Sequence, residues 1–320
     1  MLIEEICHAR VGLMGNPSDG FGGKTVSFLI KNFFAKVLIE EHTHGIEIVE
    51  NPSLDTPHRF AHISSLCQHV SQHGYYGVYR LILATCHVFG RLCIQKQVEH
   101  RIQQGFRLTY ETNIPRMVGL SGSSALIVAT FRGLLRYYRL SIEELGISKS
   151  YLPQIILSIE RDELNISAGL QDRVIQIYGG LVHMDFTEEQ MKTSGTGAYT
   201  ELDIDLLPPM YLAYNFKQGS DSGAAHSTVK ERWNDRDVDL VIGMRRLASL
   251  ADEAVNALRN RDYTSLAKLM EENFSIRRSL YGDQVVGQNN IAAIELLDSL
   301  GFAAKFCGRY STPLDSLMFS

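Results

Sequence analysis

Residues 115–138 read PRMVGLSGSSALIVATFRGLLRYY. A run dominated by small residues, Gly119, Ser121, Gly122, Ser123 and Ser124 around the single Leu120, gives way to alanine, leucine, isoleucine and valine in a pattern that suits a buried helix. The first backbone N–H groups of such a helix have no internal partner and carry the positive end of its dipole. A loop almost free of side chains in front of them can therefore wrap a phosphate chain. The serine hydroxyls add phosphate hydrogen bonds or a Mg2+ ligand. The same composition also serves plain helix capping, so the reading depends on what surrounds it.

Immediately upstream, GFRLTYETN (105–113) alternates as a strand, which makes the local order strand, loop, helix. Residues 8–50 alternate too, and two or three strands fit there, split by a turn at Gly15–Gly23 where Asn16, Ser18 and Asp19 can hydrogen-bond hydroxyl groups. GGKT at 22–25 is not a P-loop, because the first glycine of GxxxxGK[ST] would fall on Ser18. No GxGxxG follows an expected strand, so a dinucleotide fold has no support. Residues 58–101 read as helical with a polar break near 71–77, and His58, His62, His69 and His73 lack the partners that a metal site needs.

Downstream, a helix is expected from about Tyr151 to Asn165, then a small-residue turn and LQDRVIQIYGGLVHMDF. Glu160 and Asp172 are acids in otherwise apolar surroundings, which suits either a cavity or, for each, a helix surface or helix start. The polar, aperiodic segment TEEQMKTSGTGAYT (187–200) is the expected boundary, giving an N-terminal domain over 1–195 and a C-terminal one over 196–320. A strand at 210–216, a polar loop at 218–227 and helices at about 225–260, 263–281 and 289–300 follow. Arg277 and Arg278, beside Phe274 and Ile276, are candidates to meet a carboxylate, although most such arginines are simply solvated.

A net charge of −5 offers no general attraction to nucleic acid or an anionic membrane, so any anion must be held locally. With 45% hydrophobic and 21% charged residues, the 320-residue chain has a soluble, globular composition and room for one large or two ordinary domains. No apolar run nears the ~20 residues that span a bilayer. MLIEEICHAR carries acids where a signal peptide carries a basic end and a long apolar core, which points to a cytoplasmic protein. Cys7, Cys67, Cys86, Cys93 and Cys307, an odd number without a CxxC pair, fit reduced thiols rather than a disulfide frame or zinc site.

Three pieces, ARVGLMGNPSD (9–19), PRMVGLSGSSA (115–125) and AGLQDRV (168–174), resemble in order and spacing two signature motifs and the catalytic acid segment of one superfamily. That superfamily joins galactokinase, homoserine kinase, mevalonate kinase and phosphomevalonate kinase (GHMP). More narrowly, GNPSDGFGGKTVS, GLQDRVIQIYGGLVHMDF, SDSGAAHSTVKERW and NFSIRRSLYGD are similar to the plant-type glucuronokinases, over nearly everything from about residue 7 to Gly308. The resemblance implies an α+β, two-domain GHMP-kinase fold, with a ribosomal protein S5 domain 2-like N-terminal domain and a ferredoxin-like C-terminal domain. It implies ATP-dependent phosphorylation of the anomeric hydroxyl of a small sugar acid, glucuronate, feeding UDP-glucuronate synthesis. In this reading Gly119, Leu120, Ser121, Gly122, Ser123 and Ser124 wrap the triphosphate of ATP, and Ser123, or its neighbour Ser124, holds Mg2+ together with Glu160. Asp172 is the catalytic aspartate and Arg10 its cationic partner. Asn16, Asp19, Ser222 and Arg278 contact the substrate. No nucleic acid or membrane partner is implied, and a monomer or weak homodimer is expected.

One departure stands out. The superfamily carries a third glycine-rich motif near its C-terminus, and KFCG (305–308) looks like its start, but RYSTPLDSLMFS follows instead. The C-terminal domain is therefore expected to be incomplete after about residue 308, its sheet left with a gap and an uncovered apolar face. That expectation motivates an alternative, a weak or catalytically silent isoform that binds nucleotide or sugar, or pairs with a full-length copy. A kinase for another sugar, such as fucose or galacturonate, is the second alternative.

Overall fold

The computed structural model describes residues 1–50, 58–116, 118–214, 223–308 and 315–319. Its strands are β1 (Leu2–Met14), β2 (Lys24–Glu41), β3 (Ile46–Ile48), β4 (His58–Phe60), β5 (Phe106–Thr112), β6 (Leu181–Asp185), β7 (Ala198–Leu202), β8 (Tyr211–Tyr214), β9 (Ala303–Phe306) and β10 (Asp315–Phe319). Its helices are α1 (Ile63–His73), α2 (Arg80–Gln95), α3 (Gly122–Tyr137), α4 (Leu152–Ser158), α5 (Leu170–Tyr178), α6 (Glu188–Ser194), α7 (Gly223–Asn234), α8 (Val238–Arg259), α9 (Tyr263–Tyr281), α10 (Asp283–Val286) and α11 (Gln288–Ser299). Two compact units result. One gathers Met1–Ala9, Lys31–Ile114 and Gly122–Ile177, the other Arg10–Ile30, Pro115–Ser121 and Tyr178–Ser320.

In the first unit the later part of β2 pairs antiparallel with β5, from Ala35 opposite Thr112 to Glu41 opposite Phe106. β5 runs parallel to β3, which pairs antiparallel with β4. Helix α3 is buried nearly all round, from Ser124 through Tyr137, as its apolar sequence requires. It packs on α2, where Phe89 meets Phe131 edge-on and stacks on Tyr138.

In the second unit the start of β2 pairs antiparallel with β6, which pairs with β7. Lys24 on β2 reaches Asp252 on α8 at 2.9 Å and Asp185 on β6 at 3.4 Å. Helix α8 begins at Asp237, whose carboxylate accepts the Leu240 N–H at 3.0 Å. Its buried residues Leu240, Met244, Leu247, Ala251, Ala254 and Leu258 recur at helical spacing. The matching stripe on α9 is Leu266, Met270, Asn273, Arg277 and Leu280, and its two polar members are an anomaly that the site explains.

The structure revises the sequence reading at two places. Residues 187–200, read as polar and aperiodic, carry regular structure. Glu188 and Glu189 in the first turn, Lys192 in the last turn and a left-handed Gly195 make α6, and the chain continues into β7. The second correction concerns the tail. Instead of leaving the last sheet with a gap, β10 lies between β8 and β9 and pairs antiparallel with both. Met318 packs on a cluster formed by Val286, Ile291, Ile294, Ala304 and Phe306.

Removing residues 309–320 is therefore expected to lower the melting temperature and raise the binding of an apolar dye, because β8 and β9 lose the strand that joins them. Superimposable melts of the shortened and intact proteins would show that β10 contributes nothing to stability.

Candidate functional site

Each unit carries part of the expected site. In the first, Gly122 opens α3, with Ser123 exposed at its tip and Ser124 buried behind it. The Ser123 hydroxyl donates to Glu160 Oε1 at 2.7 Å, so two residues expected to share a metal meet although 36 positions lie between them in the chain. Glu160 is only 1% exposed. It sits where α4 widens into a π turn, Ile159–Glu163, a local irregularity that recurs at functional sites. Its other oxygen, Oε2, forms an ion pair with Arg173. Arg173 in turn donates to the Gly169 carbonyl at 2.9 Å and approaches Asp172 Oδ2 at 3.3 Å. Asp172, in the first turn of α5, keeps 22% of its side chain exposed. Thus Ser123, Glu160, Arg173 and Asp172 form one connected polar cluster.

The π turn is held from its far side. Glu163 accepts from Tyr75 at 2.7 Å and pairs with Arg91 of α2 at 2.7 Å, while His87 of α2 lies 3.5 Å away and also meets the Tyr75 hydroxyl. Burial pushes the His87 pKa below its usual value, against the pull of Glu163.

In the second unit the loop before α3 bends through two left-handed residues, Gly119 at φ +73° and Ser121 at φ +63°. Glycine takes the first without cost, whereas Ser121 holds a conformation disfavoured for a residue with a Cβ. Between them Leu120 is buried, and its carbonyl accepts the Arg10 N–H at 3.2 Å. The Arg10 side chain is 2% exposed and donates from Nη1 to the Cys307 carbonyl at 2.6 Å. Gly12 donates to the same carbonyl at 3.0 Å, and a Cβ on Gly12 would stand 2.7 Å from that oxygen.

Two expected substrate contacts have partners within the protein. Asn16 is fully buried. Its amide nitrogen donates to the Phe306 and Gly308 carbonyls at 3.4 and 3.2 Å, and its oxygen accepts from Lys305 at 2.8 Å. Arg278 pairs with Asp283 at 2.7 Å and Glu295 at 3.1 Å, which braces the end of α9. Its neighbour Arg277 is the buried one, donating to the Gly308 carbonyl at 2.7 Å with its guanidinium near the Phe306 and Tyr281 rings. Asp19 is partly buried in the short turn Ser18–Phe21. Ser222 lies outside the described residues.

Sequence reasoning missed Arg173, Lys305 and Asn273. The last bonds the Gly15 N–H at 2.9 Å and the Asn16 carbonyl at 3.4 Å. Its position on the apolar stripe of α9, shared with Arg277, was the available signal. Nothing in the spacing of Lys305 points to Gly12 and Asn16, the residues it bonds at 3.0 and 2.8 Å.

The donor set suits Mg2+. Ser123 and Glu160 offer hard oxygens, and this ion is usually held by one or two protein oxygens plus substrate phosphates. Among the described residues no group of three or more His, Cys, Asp and Glu side chains forms a metal cage, and no helix is long and apolar enough to cross a membrane.

Comparison with known proteins is consistent with these parts. Residues 81–180 match the GHMP kinases N terminal domain. The chain is 44% identical over 306 residues to Glucuronokinase 1 of Arabidopsis thaliana, covering 96% of this chain and 82% of that protein. It is also 44% identical over 308 residues to Probable glucuronokinase 2 of the same plant, with the same coverage of 96% and 82%. In three dimensions it resembles Lactococcus lactis galactokinase complexed with galactose, with a TM-score of 0.77, 14% identity and coverage of 99% of this chain and 85% of that one.

The Tyr75–His87–Glu163 network gives this region a pH signature. His87 has a depressed pKa in the fold, so its contribution to stability is complete above its unfolded value of roughly 6.5 and is lost as pH falls below it. The melting temperature is expected to drop between pH 7.5 and 5.5, and His87→Gln to make that drop shallower. Equal slopes for the two proteins would remove His87 from the explanation.

Proposed function

We infer the function of this chain from its family: it belongs to the GHMP kinases, with the plant glucuronokinases among its relatives, and it phosphorylates D-glucuronate at the anomeric hydroxyl using ATP. The observation that carries the reading is the meeting of Ser123 and Glu160 at the start of α3. Phosphoryl transfer passes through a loose, charge-spread transition state, so a protein accelerates it mainly by positioning and by placing positive charge and N–H donors.

The residues divide that work. Gly119, Leu120 and Ser121 shape the turn, and the amides of Gly122, Ser123 and Ser124 at the start of α3 present N–H donors to the phosphates. Ser123 and Glu160 would hold Mg2+, which when bound supplies positive charge to the phosphate oxygens. Asp172 orients the sugar hydroxyl and accepts its proton. Arg10 supplies a cation to the transferring group, the Cys307 carbonyl fixing the plane of its guanidinium. Asp19 remains a candidate for the sugar hydroxyls. For Asn16 and Arg278 the partners described above favour a structural role. β10 supplies a strand where a gap was expected, which removes the uncovered sheet as a motive for a catalytically silent reading; the chain after Gly308 still lacks the third glycine-rich motif.

Purified protein with Mg-ATP and glucuronate is expected to yield glucuronate 1-phosphate. Asp172→Asn should lower turnover by about 10²- to 10⁴-fold while sparing nucleotide binding. Full activity in that variant would remove Asp172 from the mechanism, and product from fucose or galacturonate but not glucuronate would move the assignment to another sugar.

A further inference from the structure

Glu160 presents a problem that the family reading does not address. A carboxylate at 1% exposure cannot remain charged without a counter-ion or dense hydrogen bonding. In this fold both of its oxygens are engaged, Oε1 by the Ser123 hydroxyl and Oε2 by the Arg173 guanidinium. Arg173 is itself 2% exposed and is fixed at its other end by the Gly169 carbonyl at 2.9 Å, so it is not a solvent-facing residue making an incidental contact. A divalent cation that takes Glu160 as ligand would meet a positive charge already seated on the same carboxylate. Two cations on one buried anion repel strongly in so dry a setting. Asp172 also lies beside the guanidinium, its Oδ2 accepting from Arg173 Nη1 at 3.3 Å.

We propose that Arg173 is an internal counter-cation for the metal site: it neutralises Glu160 until a divalent ion arrives, is displaced from Glu160 by that ion, and then rests against Asp172. Arg173 is in this sense a positioning residue. It acts through Glu160 and Asp172 and makes binding of a bare divalent ion unfavourable, so that the ion enters together with an anion able to offset the added charge. The inference rests on the reading of Ser123 and Glu160 as metal ligands.

The test uses the full-length protein without nucleotide, with Mn2+ as probe ion. Arg173→Gln is expected to bind Mn2+ at least about tenfold more tightly than the wild type by calorimetry, and Arg173→Lys to fall between them. Arg173→Gln should also melt at a lower temperature than the wild type in metal-free buffer and recover much of the difference when Mn2+ or Mg2+ is added, whereas the wild-type melt barely moves. A merely structural arginine would lower the melting temperature without making it metal-sensitive. The pair Glu160→Gln with Arg173→Gln, which leaves no buried charge, should lose both the tighter binding and the metal-induced rise. Unchanged Mn2+ affinity in both Arg173→Gln and Arg173→Lys would overturn the proposal, and so would a metal response that persists in the double variant. The kinase reading fails separately, if the wild type makes no sugar 1-phosphate; turnover in the wild type with no gain of Mn2+ affinity in the variants sinks this inference alone.

Discussion

A negative charge sealed from water has to be neutralised, and in the first unit this requirement falls on Glu160. Its carboxylate joins three pieces of chain: the tip of α3 through Ser123, the π turn through its own backbone, and the start of α5 through Arg173. Removing one partner from such a buried pair costs about 3–5 kcal/mol, a large fraction of the stability of an ordinary domain. The pairing therefore does more than decorate a site. It holds Asp172 and the first turn of α3 in fixed relation, and any catalytic use of Glu160 must work against or through that constraint. The wider π turn lets Glu160 point toward Ser123 while Glu163, three residues on, faces Tyr75 and Arg91.

The second unit meets a comparable demand with backbone carbonyls. Three buried cationic side chains, Arg10, Arg277 and Lys305, donate to the carbonyls of residues 306–308, and Asn16 and Gly12 add their own bonds to the same turn. The chain from Phe306 to Gly308 is thereby tied to β1, to the turn after it and to α9. Asn273 and Arg277 interrupt the apolar stripe of α9 because Asn273 bonds Gly15 and Asn16 in the turn after β1 and Arg277 bonds the Gly308 carbonyl. The loop that carries Leu120 joins the assembly through the Arg10 N–H. Buried polar networks of this kind specify one arrangement when every member is satisfied.

Much of the fold could be read from local pattern. The helix at 263–281 is found at those limits, where Asp262 caps it, and the 289–300 segment is displaced by a single residue, starting after Gly287. What escaped was whatever depends on partners far away in the chain. α6 and β7 lack an apolar face, so only their capping residues and the pairing with β6 reveal them. β10 carries little strand signal and exists by virtue of two neighbours. At the site, the expected neighbours Ser123 and Glu160 came from resemblance, and the structure joins them. Arg173, adjacent to Asp172 in the sequence, gave no hint of reaching Glu160. Asn16 looked like a polar loop residue open to a ligand, yet its amide is spent on Phe306, Gly308 and Lys305, which no reading of a loop in isolation reveals.

The position of β10 also governs the order in which the molecule can be assembled. β8 has no ladder partner in its sheet until a strand translated about a hundred residues later arrives beside it. A growing polypeptide must keep residues 211–214 waiting through the synthesis of four helices longer than ten residues, α7, α8, α9 and α11, and β9 waits as well, since the same late strand separates it from β8. Closing so long a loop is slow and entropically unfavourable before the contacts that reward it form. The residues of the first unit all lie at or before Ile177, so they are translated before β8 and β10. The last sheet cannot close until its central strand, the last one translated, has been made.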